Sequence, residues 1–336
     1  MTKTSVYYYS LSSDPVIDSL LDLLPLEHCE ISLLDLAKVN VSTKINPNSI
    51  LVSVHTSTLR FVSLMERRGY RYGVMVLGDE NLEDNLAYVN NTNCLFVASE
   101  YYNPEANRLA RSLNNCSKLL SIRGRCNNEF YRLSNNQKKK KERTITWFFA
   151  GDVISSGSRG ISRLEPITEF RKISGGEWID TDQGFISEAQ KETALTTGEY
   201  FQKLNNSYFA LCPKGWVNLD TYRFYEALDA GCIPVVLRSP SGPWYHTSFR
   251  SYWGLKFGLS DDQLPFVVAE SWEEARLKVS QIIESGKLHD VQQSTWCFWE
   301  KIKSSWRQSL SEFRNELSES DTTYRNLGKS VAHSPW

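Results

Sequence analysis

The sequence predicts two α/β domains, each a mostly parallel sheet covered by helices, and three observations carry that expectation. Short apolar runs of strand length alternate with helical patterns through residues 1–134, and the alternation restarts at residue 144. Between the two series, residues 135–143 are polar and charged, without apolar periodicity, and read as a solvated linker. A chain of 336 residues is also long enough to build two cores.

In the first domain, strands are expected at Ser5–Tyr9, Glu30–Leu34, Ile50–Val54, Gly73–Leu77, Cys94–Val97 and Lys118–Ile122. Helices are expected between them at Pro15–Leu24, Thr56–Arg68 and Asn103–Leu113. The second domain, residues 144–290, opens with a strand at Thr144–Ala150 and continues through helices near Ser158–Phe170 and Thr197–Asn205. Tyr208–Cys212 is a strand stopped by Pro213, and Lys214-Gly215 opens a loop. Asp220 or Thr221 caps a helix that places Phe224, Ala227 and Leu228 on one face and ends at Gly231. Buried strands follow at Ile233–Leu237 and Phe266–Ala269. Ser271 caps a helix reaching Glu284, and two further helical stretches, before and after Trp299, make residues 291–336 a helical tail packing back on the domains.

Composition narrows the function class. Hydrophobic content of 41% with 23% charged residues is ordinary for a soluble globular protein. A formal net charge of −1 gives no global attraction to nucleic acid or an anionic membrane, so neither is an expected partner. Seven cysteines without a CxxC pair fit reduced, buried thiols in a cytoplasmic chain. No apolar stretch has the length of a signal peptide or a membrane span, so no integral membrane segment is expected. The aromatic share of 12% suits a core and also suits contact with sugar rings.

The most informative stretch is Tyr208–Leu237, a strand–loop–helix–turn–strand unit. Such a unit puts its loop and its helix N-terminus at the carboxyl ends of the strands, where open α/β sheets bind ligands and backbone N–H groups favour phosphate. Pro213, Gly215, Thr221, Arg223, Glu226-Ala227 and Gly231-Cys232-Ile233-Pro234-Val235 occur there in an order and spacing that resembles the nucleotide-binding signature of the exostosin-like glycosyltransferases. The Phe149-Ala150-Gly151 strand end, with its basic helix start, is also similar to that family. The resemblance implies a GT-B fold, two Rossmann-like domains facing across a cleft. It further implies inverting transfer, in a single displacement without an essential metal, from a UDP-sugar of the xylose, galactose, glucuronate or N-acetylglucosamine type to a glycan hydroxyl. Animal members are anchored in the secretory pathway. A chain without an anchor is therefore expected to be a microbial or viral cytoplasmic enzyme, or a soluble catalytic fragment.

Glycosyl transfer needs the diphosphate and ribose held, the departing charge stabilised, and the acceptor hydroxyl deprotonated. From Phe148 to Arg163 a strand runs into a loop with three glycines and several hydroxyls, then a basic helix start. Gly151, Ser158, Arg159 and Arg163 are the diphosphate candidates there, because glycine loops let N–H groups approach phosphate and arginine offers paired donors. Lys214, Gly215, Thr221 and Arg223 add a second loop and helix start, and the Glu226 carboxylate can accept two ribose hydroxyls. Arg123 and Arg125, flanking Gly124, either reach the diphosphate or pair with surface carboxylates.

For the base, the strand Val74–Leu77 runs into Gly78-Asp79-Glu80. Asp79 is the first choice, Glu80 the alternative, and His55 at another strand end stands behind both. Asp180-Thr181-Asp182 has the spacing of a metal-binding DxD motif but reads as a Gly- and Trp-containing loop, and no histidine pair has metal-site spacing. The rival readings are a metal-dependent DxD transferase and a catalytically silent nucleotide-sugar or glycan-binding subunit.

Overall fold

A computed structural model describes residues 4–8, 23–24, 29–33, 39–40, 42–54, 59–77, 88–102, 108–109, 112, 119–124, 126–136, 142–153, 163–181, 195–215, 219–238 and 251–331. The chain divides into two compact units, Met1–Arg125 with Lys303–Trp336, and Cys126–Ile302.

The first unit holds six strands: β1 (Thr4–Tyr8), β2 (Cys29–Leu33), β3 (Ser49–Val54), β4 (Tyr72–Leu77), β5 (Cys94–Ser99) and β6 (Leu119–Ser121). They lie side by side in the order β2-β1-β3-β4-β5-β6, and every pairing is parallel. Each residue of β4 and β5 is buried, as expected where a parallel strand is covered on both faces. The helix Leu59–Arg67 covers one face, sending Phe61 and Met65 into a core with Leu51, Val74, Val76 and Val97. Phe313, near the chain's end, stacks on Phe96 at 4.8 Å between centroids, which gives the terminal helix its anchor in this unit.

The second unit holds β7 (Ile145–Gly151), β8 (Glu177–Asp180), β9 (Ser207–Leu211), β10 (Ile233–Leu237) and β11 (Val267–Ala269). Their order is β11-β10-β9-β7-β8, again all parallel. Helices Asn128–Asn136, Leu164–Phe170, Thr197–Asn205, Tyr222–Asp229, Tyr252–Phe257 and Trp272–Glu284 belong to this unit, together with the first part of Leu288–Val331. In both sheets the order reverses beside the first strand, between β1 and β3 and between β7 and β9. Such a reversal opens a crevice at the carboxyl ends of the two strands, the place where doubly wound sheets take their ligands.

Most expected elements are present to within a residue or two, and the differences have physical causes. The tail is one continuous helix, Leu288–Val331, rather than two stretches around Trp299. Trp299 is itself buried inside it and donates Nε1 to Asp229 Oδ1 at 2.7 Å, so the aromatic cluster marks a packed face and no break. The expected linker, residues 135–143, is structured at both ends. The helix Asn128–Asn136 enters it, with Phe130 and Tyr131 buried, and Arg143 is 6% exposed. Asp180 ends an edge strand instead of lying in a loop, and all four residues of β8 are half-buried because β8 has a neighbour on one side only. Of the expected helix Pro15–Leu24 only Leu23 and Leu24 are described, and they form a turn. Among the described residues no helix is long and apolar enough to cross a membrane.

Candidate functional site

The site is built at the β7/β9 reversal of the second unit. Phe148 pairs with Ala210, and continuing that register brings Gly151 level with Pro213. The two loops singled out in the sequence therefore leave adjacent strands side by side. Arg223, in the first turn of the Tyr222–Asp229 helix, donates Nε to Ala150 O at 2.8 Å, and its guanidinium lies 5.1 Å from the centre of the Phe149 ring. Gly151 makes this approach possible: at φ 155° it has no Cβ, and a Cβ would collide with the Arg223 guanidinium.

The loop after β7 is held from both sides. Val153 N donates to Asp180 Oδ1 at 3.1 Å and Thr181 N to Gly151 O at 3.2 Å, so β8 supports β7 at its end. Arg163 N donates to Val153 O at 2.9 Å, and Arg163 Nη1 to Asp152 O at 3.1 Å. Arg163 is thereby brought beside Arg223. Burial lowers the Arg163 pKa, and the positive charge of Arg223 lowers it further, to about 10, against a smaller opposing effect of Asp152. Arg163 Nε, Asp152 Oδ1 and Thr221 Oγ1 are buried atoms without a hydrogen-bond partner. Two crowded guanidiniums, with an orphaned donor between helix starts, form a surface complementary to a multiply charged anion.

Glu226 lies one turn further along the same helix, half-buried, and its Oε2 accepts a hydrogen bond of 3.0 Å from Tyr200 Oη. Burial first, and then the Glu226 charge, push the Tyr200 hydroxyl well above its ordinary range, so it is a permanent donor. Burial likewise pushes the Cys212 thiol up, opposed by Arg223, and Cys212 stays a protonated thiol. Lys214 and Gly215 are half-buried at the exit of β9.

Thr221 occupies the N-cap position with extended backbone but makes no capping hydrogen bond. Asp220, the other expected cap, is fully buried against Lys256 as an ion pair and accepts from Tyr252 Oη at 3.0 Å. The helix start is thus fixed from beneath, and its first turn is left for something else. The second half of the signature has a structural task. Gly231, at φ 74°, passes Trp296 so closely that a Cβ would clash, and Trp296 Nε1 donates to Gly231 O at 2.9 Å.

The structure thus gathers Gly151, Arg163, Lys214, Gly215, Thr221, Arg223 and Glu226 at one crevice. Arg123 belongs to the other unit, where it is 1% exposed and donates Nε to Gly124 O at 3.2 Å. It is therefore no exposed partner of surface carboxylates. Ser158, Arg159, Arg125, His55, Asp79, Glu80 and Asp182 lie outside the described residues. Among the described residues no group of three or more His, Cys, Asp or Glu side chains could hold a metal ion. Sequence reasoning misses Tyr200, which stands in no recognisable motif, and passes over Asp152, although it lies within the Phe148–Arg163 stretch. Only the position of Tyr200 in a helix's first turn, near the strand ends, hints at its place.

Residues 126–280 match the Exostosin GT47 domain. Exostosin-1 of Drosophila melanogaster is 32% identical over 132 residues, which are 38% of this chain and 15% of that protein's length. Among solved structures, Arabidopsis thaliana UGT89C1 with quercetin aligns over 94% of this chain and 92% of its own, at 11% identity and a TM-score of 0.47. The DNA-modifying enzyme β-glucosyltransferase, solved with and without uridine diphosphoglucose, aligns over 93% and 99%, at 12% identity and a TM-score of 0.47. Two parallel α/β sheets with C-terminal helices are the element content of the GT-B class. Residues 126–280 of this chain are thus similar to the Exostosin GT47 domain, and the match spans a small part of the length of the curated relative.

Proposed function

We propose that the chain is a glycosyltransferase that takes a UDP-sugar and passes the sugar to a glycan hydroxyl with inversion. The observation that carries this reading is the Arg163–Arg223 pair at the β7/β9 crevice, desolvated, mutually repelling and, among the described residues, without an ion-pair partner. A departing diphosphate supplies the missing negative charge, and the pair stabilises it as the glycosidic bond breaks. Lys214, Arg159, Ser158 and the Thr221 hydroxyl complete the diphosphate set, Gly151 and Gly215 give the backbone room, and Glu226 takes the ribose diol. Arg123 and Arg125 are secondary candidates. In this reading the arginines carry the leaving-group charge and no metal is essential.

The acceptor's proton goes to Asp79, with Glu80 and His55 as the alternatives. Asp79 and Glu80 follow β4, whereas His55 directly follows β3, a strand of the first sheet's own reversal. The test is UDP release from a panel of UDP-sugars, with and without EDTA, for the parent and for Asp79→Asn. Turnover is expected to persist in EDTA, and Asp79→Asn to lower it by roughly 10²–10⁴-fold with donor binding little changed. Activity abolished by chelation and restored by manganese would transfer the role to Asp180 and Asp182. A near-normal Asp79→Asn enzyme moves the base to Glu80 or His55.

A further inference from the structure

We infer that Tyr200 is a positioning residue for ribose recognition: it locks the Glu226 carboxylate in the orientation that distinguishes a ribonucleotide from a 2′-deoxyribonucleotide. The inference rests on the reading of Glu226 as the ribose-diol acceptor. A glutamate on a helix surface has three side-chain torsions to order, and an unrestrained carboxylate loses entropy when it grips a diol. Here the restraint is built in. Tyr200 Oη donates to Oε2 at 3.0 Å, linking the Thr197–Asn205 and Tyr222–Asp229 helices. The tyrosine is itself held by aromatic contacts, 5.7 Å from Phe130 and 6.1 Å from Phe148 between ring centroids.

The direction of the hydrogen bond is also fixed. A phenol that keeps its proton donates it to the carboxylate, so Tyr200 Oη is the donor and Glu226 Oε2 the acceptor. Tyr200 lies in the first turn of the Thr197–Asn205 helix, whose Thr196–Glu199 capping box sets that turn's start. Arg223 and Cys212 complete the immediate electrostatic surroundings of the hydroxyl.

The experiment is calorimetry with UDP and with 2′-deoxy-UDP on the parent, Tyr200→Phe and Glu226→Gln. Phenylalanine keeps the ring against Phe130 and Phe148 and removes only the donor. Tyr200→Phe should weaken UDP by roughly tenfold and 2′-deoxy-UDP hardly at all, so the preference for the ribonucleotide collapses. The ratio of the two affinities is read on folded protein, so a general loss of stability does not move it. A ratio unchanged in Tyr200→Phe but collapsed in Glu226→Gln would overturn the role of Tyr200 and leave the ribose assignment standing. A parent that binds both nucleotides equally would overturn the ribose assignment and the positioning role with it.

Discussion

Arginines stand at both ends of the second sheet, buried at one and half-buried at the other, and they are opposites. At the amino ends of the strands, Arg143 donates Nη1 to Leu204 O at 3.0 Å and Ser207 O at 2.7 Å, and Nη2 to Ala230 O at 2.9 Å. Leu204 and Ala230 lie at the C-terminal ends of two helices, where the macrodipole is negative and a cation is favoured. Burial lowers its pKa, but the neighbouring Cys232 acts in the opposite direction. At the carboxyl ends, Arg223 sits in the first turn of a helix, the end where the dipole is positive, and Arg163 lies beside it with its Nε unpartnered. One arginine is satisfied by the fold; the other pair is left to be satisfied from outside. The contrast teaches that burial of a charge does not by itself mark a site. What marks it is whether the surroundings complete the charge.

The largest expected effect breaks the satisfied end. Arg143→Met removes a donor from three carbonyls, of which Leu204 O keeps Cys232 Sγ at 2.9 Å. A buried carbonyl left without a donor costs about 1–3 kcal/mol, so urea unfolding should show a loss of a few kcal/mol. UDP affinity of the protein that remains folded should not change. A loss below about 1 kcal/mol would mean that water replaces the guanidinium and that Arg143 is less integral than its hydrogen bonds imply.

At the other end the signs reverse. Arg163→Gln should weaken UDP by roughly 10–100-fold, the loss of a charge-assisted contact, while leaving the unliganded protein as stable as the parent or slightly more so. The folded pKa of about 10 lies below the ordinary value of 12.5, so the unfolded chain holds this proton more tightly. Stability therefore rises with pH only through that alkaline window, and below it the penalty is constant. The change in melting temperature on Arg163→Gln should accordingly be the same at about pH 6 and about pH 8. A variant that loses stability as Arg143→Met does, with UDP binding intact, would make Arg163 a second structural arginine.

How much of this was legible before the structure follows the same division. The signature was read correctly as strand, loop, helix, strand, because buried strands and Gly231 leave strong local marks. Arg223, expected at the carboxyl ends of the strands, does reach Ala150 O at the end of β7. Arg143 was misread as part of a solvated linker, since its partners are carbonyls of Leu204, Ser207 and Ala230, remote in sequence and without any pattern. The same limit hid Tyr200 and the strand at Glu177–Asp180, whose four residues have one neighbouring strand and no strong apolar run. Long-range hydrogen bonds from single polar side chains have no periodicity to betray them.

The smallest effect sharpens the comparison at a single hydroxyl. Several helices of the second unit begin with a hydroxyl residue in extended conformation, and Ser271 and Thr221 among them make the contrast. Ser271 Oγ accepts from Glu274 N at 3.2 Å and makes an ordinary cap. Removing it as Ser271→Ala should cost about 0.5–2 kcal/mol in thermal or urea unfolding, with no effect on UDP. Thr221 makes no such bond, and its Oγ1 is buried without a partner. Thr221→Ala should therefore cost only a few tenths of a kcal/mol, below the usual capping loss, because there is no cap to remove. If the hydroxyl is reserved for the diphosphate, the same change should weaken UDP by roughly three- to tenfold, about 0.7–1.4 kcal/mol for one neutral donor. Equal stability losses in the two variants, with UDP affinity untouched in both, would make Thr221 one more helix cap and leave the crevice to its arginines.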